Sequence, residues 1–222
     1  YPQNRREYNL IAFAIGAKKR YAVRYLRRDA QNLSWVNSKT VTEDDRLHCV
    51  EENVRLLTLL GIERTLDEAA LPSLRLTLDT EHEAMAEEWF IRHGIDRSGT
   101  IIGFHAGTAL FKNHIMRRWA PAKFAELAVR LKAELGATVL LFGGPDDVEA
   151  NQAIRSAAGD AILPVETKSI LESVAIMKRL GMFVSNDSAL MHIAGALGLP
   201  TVAIFGPTNE TYVHPWRTRY TI

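Results

Sequence analysis

Asp187, Ser188 and His192 fall in the run Phe183-Val-Ser-Asn-Asp-Ser-Ala-Leu-Met-His192, where a buried-strand pattern gives way to a polar turn and then a helix. The first turn of a helix leaves backbone N–H groups unpaired, and these favour an anion, a phosphate above all. Ser188 and His192 are four apart and share one helical face. A hydroxyl, backbone donors and an imidazole can therefore converge on one phosphate, although a lone helical histidine is as readily a structural one. Asp187 stands at the N-cap position, where its carboxylate either bonds its own helix or faces a ligand. A hydrolytic triad fits poorly, because a nucleophilic serine wants an exposed Gly-x-Ser-x-Gly elbow and partners brought from other loops. Downstream, a Gly-Leu-Pro break precedes a second apolar run ending in Gly206-Pro-Thr208.

Two further loops carry polar groups after strand-like runs. His105-Ala-Gly-Thr-Ala-Leu-Phe-Lys-Asn-His-Ile-Met-Arg-Arg-Trp119 offers Gly107 and Thr108 as donors to an anion, and Lys112, Arg117 and Arg118 as positive charge. Phe142-Gly-Gly-Pro-Asp-Asp147 lets backbone approach a ligand, with a carboxylate that either bonds a ribose diol or caps the next helix. Gly-x-x-x-x-Gly-Lys and Gly-x-Gly-x-x-Gly are both absent, which removes the main signals for P-loop and dinucleotide enzymes. No Cys/His spacing suits zinc, and the lack of Asp-x-Asp argues against a sugar transferase that holds its diphosphate through a divalent cation.

The elements that position these residues follow a regular rhythm after residue 99. Strands are expected at 100–105, 138–142, 161–165, 183–185 and 201–205, with helices at 121–135, 147–158, 169–180 and 188–197. Such alternation means an α/β fold with a parallel sheet covered on both faces. Its ligands bind at the carboxyl ends of the strands. Before residue 99 the pattern is looser: helices at 8–15, 48–60 and 81–93, each followed by glycine, and strand-like alternation at 20–25 and 74–78. Residues 95–99 read as a linker, so two domains are expected, 1–97 and 98–222.

Composition narrows the partners. The 222 residues are 47% hydrophobic, ample for a core, and 27 basic residues nearly balance 26 acidic ones, so nucleic acid is not expected. The single cysteine, Cys49, excludes an intramolecular disulfide, fits a reducing compartment and reads as a small apolar helix residue. The one charge concentration, Lys18, Lys19, Arg20, Arg24, Arg27 and Arg28, is either a solvated edge or a contact for anionic lipid or an acidic acceptor. No apolar run is long enough to span a membrane. The chain starts without methionine and ends in a strand-like run, and is expected to be part of a longer protein.

Arg118-Trp-Ala-Pro121, Phe142-Gly-Gly-Pro145, Ser185-Asn-Asp-Ser-Ala-Leu-Met-His192 and Ala203-Ile-Phe-Gly-Pro-Thr208, in that order, resemble the heptosyltransferases of bacterial lipopolysaccharide synthesis, glycosyltransferase family 9. The stretches around Gly16-Ala-Lys18 and Glu52-Asn53 resemble the tail of that family's first domain. The resemblance implies a GT-B architecture of two Rossmann-like domains, here a partial acceptor-side domain (1–97) and a donor-binding domain (98–222). It implies a metal-independent, inverting transfer of a sugar, typically heptose from ADP-heptose, to a lipid-linked glycan acceptor. No cofactor is implied beyond that nucleotide-sugar co-substrate. The resemblance implies a cytoplasmic setting, with peripheral contact at the inner face of the inner membrane. Carried onto this sequence, Asp187 would contact the donor sugar, and backbone at Ser188 and Ala189 the diphosphate. Arg117 would take the place of a basic residue, usually lysine, two before the tryptophan, while Thr108 would lie near the phosphates and Asp147 near the ribose. His192 matches a histidine of the same helix. The family usually has glycine where Ala189 stands, and the basic loop before Trp119 is longer than in some members. The general base of the family is an aspartate near the start of the first domain, a region not represented here. An epimerase of a nucleotide-linked sugar and a non-catalytic nucleotide-binding module remain the alternatives.

Overall fold

A computed structural model describes residues 5–62, 71–109 and 115–222. The chain divides into two compact units, residues 1–72 with 209–213, and residues 73–208 with 214–222. The division falls after Pro72 and not at the linker expected near residue 97. Helix α4 (Thr80–Arg92) lies upstream of that linker, yet it buries Trp89 and Phe90 in the second unit's core. Arg179 fastens it there by donating to the Glu83 carbonyl at 3.0 Å and pairing with Glu87 at 3.1 Å. The expected linker is ordered by Asp96, which accepts from Ser98.

In the first unit, α1 (Arg6–Ala14) precedes a two-stranded parallel sheet of β1 (Tyr21–Arg24) and β2 (Lys39–Thr42), with α2 (Asp29–Asn32) between them. β2 escapes sequence reading because Lys-Thr-Val-Thr holds a single large apolar residue and shows no alternation. The helix expected at 48–60 is α3 (Cys49–Arg55) continued by 3-10 turns to Leu60 and closed by Gly61 at φ 75°. Glu52 is 1% exposed, and it accepts from the Asp44 N–H at 2.9 Å and from the Tyr212 hydroxyl at 2.7 Å. Burial first, and then that contact, push the Tyr212 phenol upward.

The second unit is a fully parallel six-stranded sheet. Its strands are β3 (Ile101–His105), β4 (Thr138–Phe142), β5 (Leu163–Pro164), β6 (Met182–Asn186), β7 (Thr201–Ile204) and β8 (Tyr220–Thr221), in the order β5-β4-β3-β6-β7-β8. The helices are α5 (Pro121–Leu135), α6 (Val148–Ala158), α7 (Ile170–Met177) and α8 (Ala189–Ala196). Successive strand residues point to opposite faces. Ile102, Phe104, Val139, Leu141 and Val184 meet Phe124, Ala128 and Ile154 of α5 and α6. Ile101, Leu140, Phe142 and Phe183 meet α4, α7 and α8 on the other face. The five strands expected after residue 99 are present, and β8 adds a sixth. The alternation at 74–78 forms no strand; Leu78 instead packs on the core beside α4.

Chain order makes β3 the turning point. The chain runs outward from β3 to β4 and β5, then crosses back to β6 on the other side of β3. Loops after β3 and β6 diverge there and open a crevice at the carboxyl ends.

Candidate functional site

Asn186 joins the two sides of that crevice. Wholly buried at the end of β6, it donates from Nδ2 to the Ala106 carbonyl at 2.7 Å and accepts the Trp119 N–H at 3.0 Å. Its place in the motif is thus structural, since it fixes the loop after β3 against β6. Ser188 is the N-cap of α8, in extended conformation, and its hydroxyl accepts the Met191 N–H at 3.4 Å. Capping by Ser188 frees the Asp187 carboxylate from that task, so the local alternative for Asp187 does not hold. Asp187 is 4% exposed, and its Oδ2 lies 2.8 Å from Arg117 Nη1. That approach is an ion pair without hydrogen-bond alignment, and Oδ2 has no hydrogen-bond partner among the described residues. A buried carboxylate oxygen left in this state is costly unless something else binds there.

The two arginines before Trp119 divide the work. Arg118 donates to Thr108 Oγ1 at 3.1 Å, to the Thr108 carbonyl at 2.6 Å and to Asp147 Oδ1 at 3.1 Å. It shapes the loop, while Arg117 is left to the pocket. Gly206 sets the height of Arg117, because a Cβ there would come within 2.6 Å of the Met116 carbonyl and 3.0 Å of Arg117 Cα. The expected basic residue Lys112 lies outside the described residues.

Asp147, expected near a ribose, has its carboxylate turned inward. It accepts the Gly144 N–H at 2.9 Å, meets His105 Nε2 at 3.3 Å and pairs with Arg118. Burial works to raise its pKa, and the hydrogen bonds from His105 and Gly144 outweigh that and hold it below the usual aspartate range. The carboxylate fits only because residue 107 is glycine; a Cβ there would overlap it. His105, the last residue of β3, completes the chain with Nδ1 2.9 Å from Ser188 Oγ. No role for His105 was legible in the sequence. Its signal, a polar residue ending an otherwise apolar central strand, is weak alone.

A cavity of about 660 Å³ opens over these groups, lined by Thr108, Arg117, Asp187, Ser188, Ala189 and His192, with Asp147 beneath. Of the eight expected site residues, the seven described ones therefore meet around one space. The cavity also reaches Lys168, Ser169 and Ile170. Ser169 caps α7 by accepting the Glu172 N–H, so a second helix N-terminus faces the pocket. The one sequence signal for a role of that helix start is that Thr167-Lys-Ser follows a strand's carboxyl end, as the other site loops do. His192 is half-buried, and its pKa is lowered by burial, against the pull of Asp187 and with a smaller push from His214. Among the described residues no cluster of His, Cys, Asp and Glu is arranged to hold a metal ion.

A model of the family described as glycosyltransferase family 9 (heptosyltransferase) matches residues 3–222. Lipopolysaccharide heptosyltransferase 2 of Escherichia coli is 31% identical over 172 residues, covering 75% of this chain and 48% of that protein. The chain thus spans about half of that relative's length. The solved structure of E. coli ADP-heptose lps heptosyltransferase II superposes with a TM-score of 0.72 at 24% identity, covering 99% of this chain and 66% of that one. An E. coli heptosyltransferase solved with ADP superposes with a TM-score of 0.65 at 16% identity, covering 98% and 63%. At these identities the two structures speak for the fold.

Proposed function

The chain belongs to glycosyltransferase family 9, and from that premise we propose that its second unit binds the nucleoside diphosphate of a sugar donor, ADP-heptose being the donor that fits the family. The longer enzyme would then pass the sugar to a lipopolysaccharide-core acceptor, by inverting displacement without a metal ion. The observation that carries this reading is Asp187: buried, with an oxygen lacking a hydrogen-bond partner among the described residues, beside Arg117 and at the open end of α8.

In this assignment the diphosphate lies against the first-turn N–H groups of α8 at Ala189, where the helix dipole and unpaired donors favour negative charge. Arg117 and the cation expected of Lys112 neutralise it, and Thr108 borders it. As the sugar–phosphate bond breaks, charge grows on the departing diphosphate, and these fixed donors oppose it most strongly at that moment. The Asp187 carboxylate faces the sugar and accepts its hydroxyl hydrogens, which gives the unpartnered oxygen its ligand. Asp147 supports the site from beneath through Arg118 and His105, and direct contact with a ribose would require it to leave three donors. The N-terminus of α7, with Lys168 and Ser169, borders the remaining volume, where a nucleoside would sit. The general base that takes the acceptor's proton is assigned to no residue of this chain. No described helix is long and apolar enough to cross a membrane, and we assign the acceptor encounter to peripheral contact at the inner face of the inner membrane.

Calorimetric titration of the chain with ADP, UDP, GDP and CMP tests the assignment. ADP is expected to bind best, and Arg117→Ala to weaken it about tenfold or more, the worth of one charge-assisted hydrogen bond. Preference for UDP would move the donor class. Binding indifferent to Arg117→Ala would remove the phosphates from this pocket.

A further inference from the structure

His105 is buried at the end of β3, and its ring links two residues of the pocket, Asp147 through Nε2 at 3.3 Å and Ser188 through Nδ1 at 2.9 Å. An ionised carboxylate can only accept, so Nε2 carries hydrogen, and in the neutral ring Nδ1 is an acceptor. Ser188 has one hydroxyl hydrogen to give. Ser185 donates its own to the Asn186 carbonyl at 2.8 Å, which leaves Ser188 two protein acceptors: His105 Nδ1, and Ser185 Oγ at 3.1 Å. Either way the Ser188 hydrogen is committed to the protein and withheld from a ligand at α8.

Two carboxylate–arginine pairs flank the ring, and Asp146 and Lys168 line the same cavity. Asp147, from the turn before α6, is matched by Arg118, from the segment before α5. On the α8 side, Asp187 is matched by Arg117, with His192 beyond them on the same helix. A diphosphate at the α8 N-terminus adds negative charge to this half-dry site, and nearby negative charge favours the protonated form of an imidazole. We propose that a diphosphate binding at α8 draws one proton from solvent onto His105 Nδ1. The imidazolium donates Nε2–H to Asp147 and Nδ1–H to Ser188 Oγ, and the Ser188 hydroxyl hydrogen turns to a phosphate oxygen. One proton enters from water, and only hydrogen bonds change. His105 is a positioning residue, acting on the ligand through Ser188, and a hydroxyl backed by an imidazolium is a stronger donor to a leaving diphosphate than one backed by a neutral ring. The inference rests on the donor-site reading, but it needs only a diphosphate and no particular nucleoside.

Calorimetry with ADP and with inorganic pyrophosphate, repeated in buffers of different ionisation enthalpy near about pH 7.5, counts the protons taken up. The ligand's own titration is common to every variant, so differences between variants report the protein. The wild type is expected to take up about one more proton than His105→Gln and to bind about tenfold more tightly. Ser188→Ala, which leaves the His105–Asp147 pair and the charge of the diphosphate in place, should keep the uptake but lose the gain in affinity, and His192→Gln should keep the uptake. A thermal melt of each variant identifies any that does not fold. Equal uptake in wild type and His105→Gln, or uptake lost only with His192→Gln, overturns the proposal. Pyrophosphate binding with uptake, and ADP no tighter, leaves the proton relay standing and removes the nucleoside from the donor reading. Failure of both ligands to bind overturns both.

Discussion

Glu52 and Asp187 are both buried carboxylates, 1% and 4% exposed, and they serve opposite ends. In the first unit, Glu52 accepts from a backbone N–H and a tyrosine hydroxyl that the fold brings to it. In the second unit, Asp187 meets Arg117 but keeps an oxygen with no hydrogen-bond partner among the described residues, beside a cavity. Burial of a charge does not mark a site. At Asp187 the mark is an open valence that borders a cavity, whereas Asp29 Oδ1 of the first unit, also without a hydrogen-bond partner among the described residues, is no part of that cavity's lining. The same contrast runs through the arginines, where Arg118 spends its donors on Thr108 and Asp147 while Arg117 faces the pocket.

The sharpest way to break this comparison is to delete each carboxylate. Glu52→Ala strands the Tyr212 hydroxyl and the Asp44 N–H, and should cost about 3 kcal/mol of stability, read as a lowered urea midpoint. Nucleotide affinity per folded molecule should be unchanged. Asp187→Ala should melt within about 1 kcal/mol of wild type, because the desolvation cost of the buried carboxylate leaves with it and Arg117 can reach solvent, yet lose its advantage for sugar nucleotide over free nucleotide. Reversed outcomes would dissolve the distinction.

Gly107→Ala is a smaller intervention on the same cluster. Its Cβ must displace the Asp147 carboxylate, with a cost of about 1–3 kcal/mol typical of overpacking. ADP affinity should fall with stability, since the Arg118 and His105 contacts move together. Unchanged melting and binding would mean that Asp147 is not held where its hydrogen bonds place it.

The smallest effect concerns pH. The His192 pKa is lowered in the folded state, so the unfolded chain binds the proton more readily. Stability is then whole above the unfolded pKa of about 6.5, and it declines as pH falls from there toward the lowered folded value. His192→Gln should flatten the melting-temperature slope between about pH 7 and 5, and an unaltered slope would show that His192 is not the group responsible.

Much of the second unit was legible because its signals are local. Pro121 at a helix start and Gly136 after its end fix α5 at the expected residues, with Gly136 at φ 62°. The apolar runs at 138–142 and 182–186 are buried as central parallel strands must be. The first unit is less legible. β2 lacks alternation, and the alternation at 74–78 follows a segment that packs without pairing. The division between the compact units is not legible locally, because a turn at 95–99 looks like a linker whether or not the helix before it packs on the sheet that follows.

The sequence by itself determined the element types of the second unit and the loops that carry its polar residues, because periodicity, caps and turn chemistry are properties of neighbours along the chain. It also determined that Asp187, Ser188 and His192 would gather at one strand end. Only the tertiary structure decided which valences remain open. Whether Asp187 or Ser188 caps α8, whether Arg117 or Arg118 faces the pocket, and whether Asp147 turns inward to His105 depend on pairs 10 to 83 residues apart in the chain. Their distances are set by the crossover of strands at β3 and β6, and no local pattern encodes them.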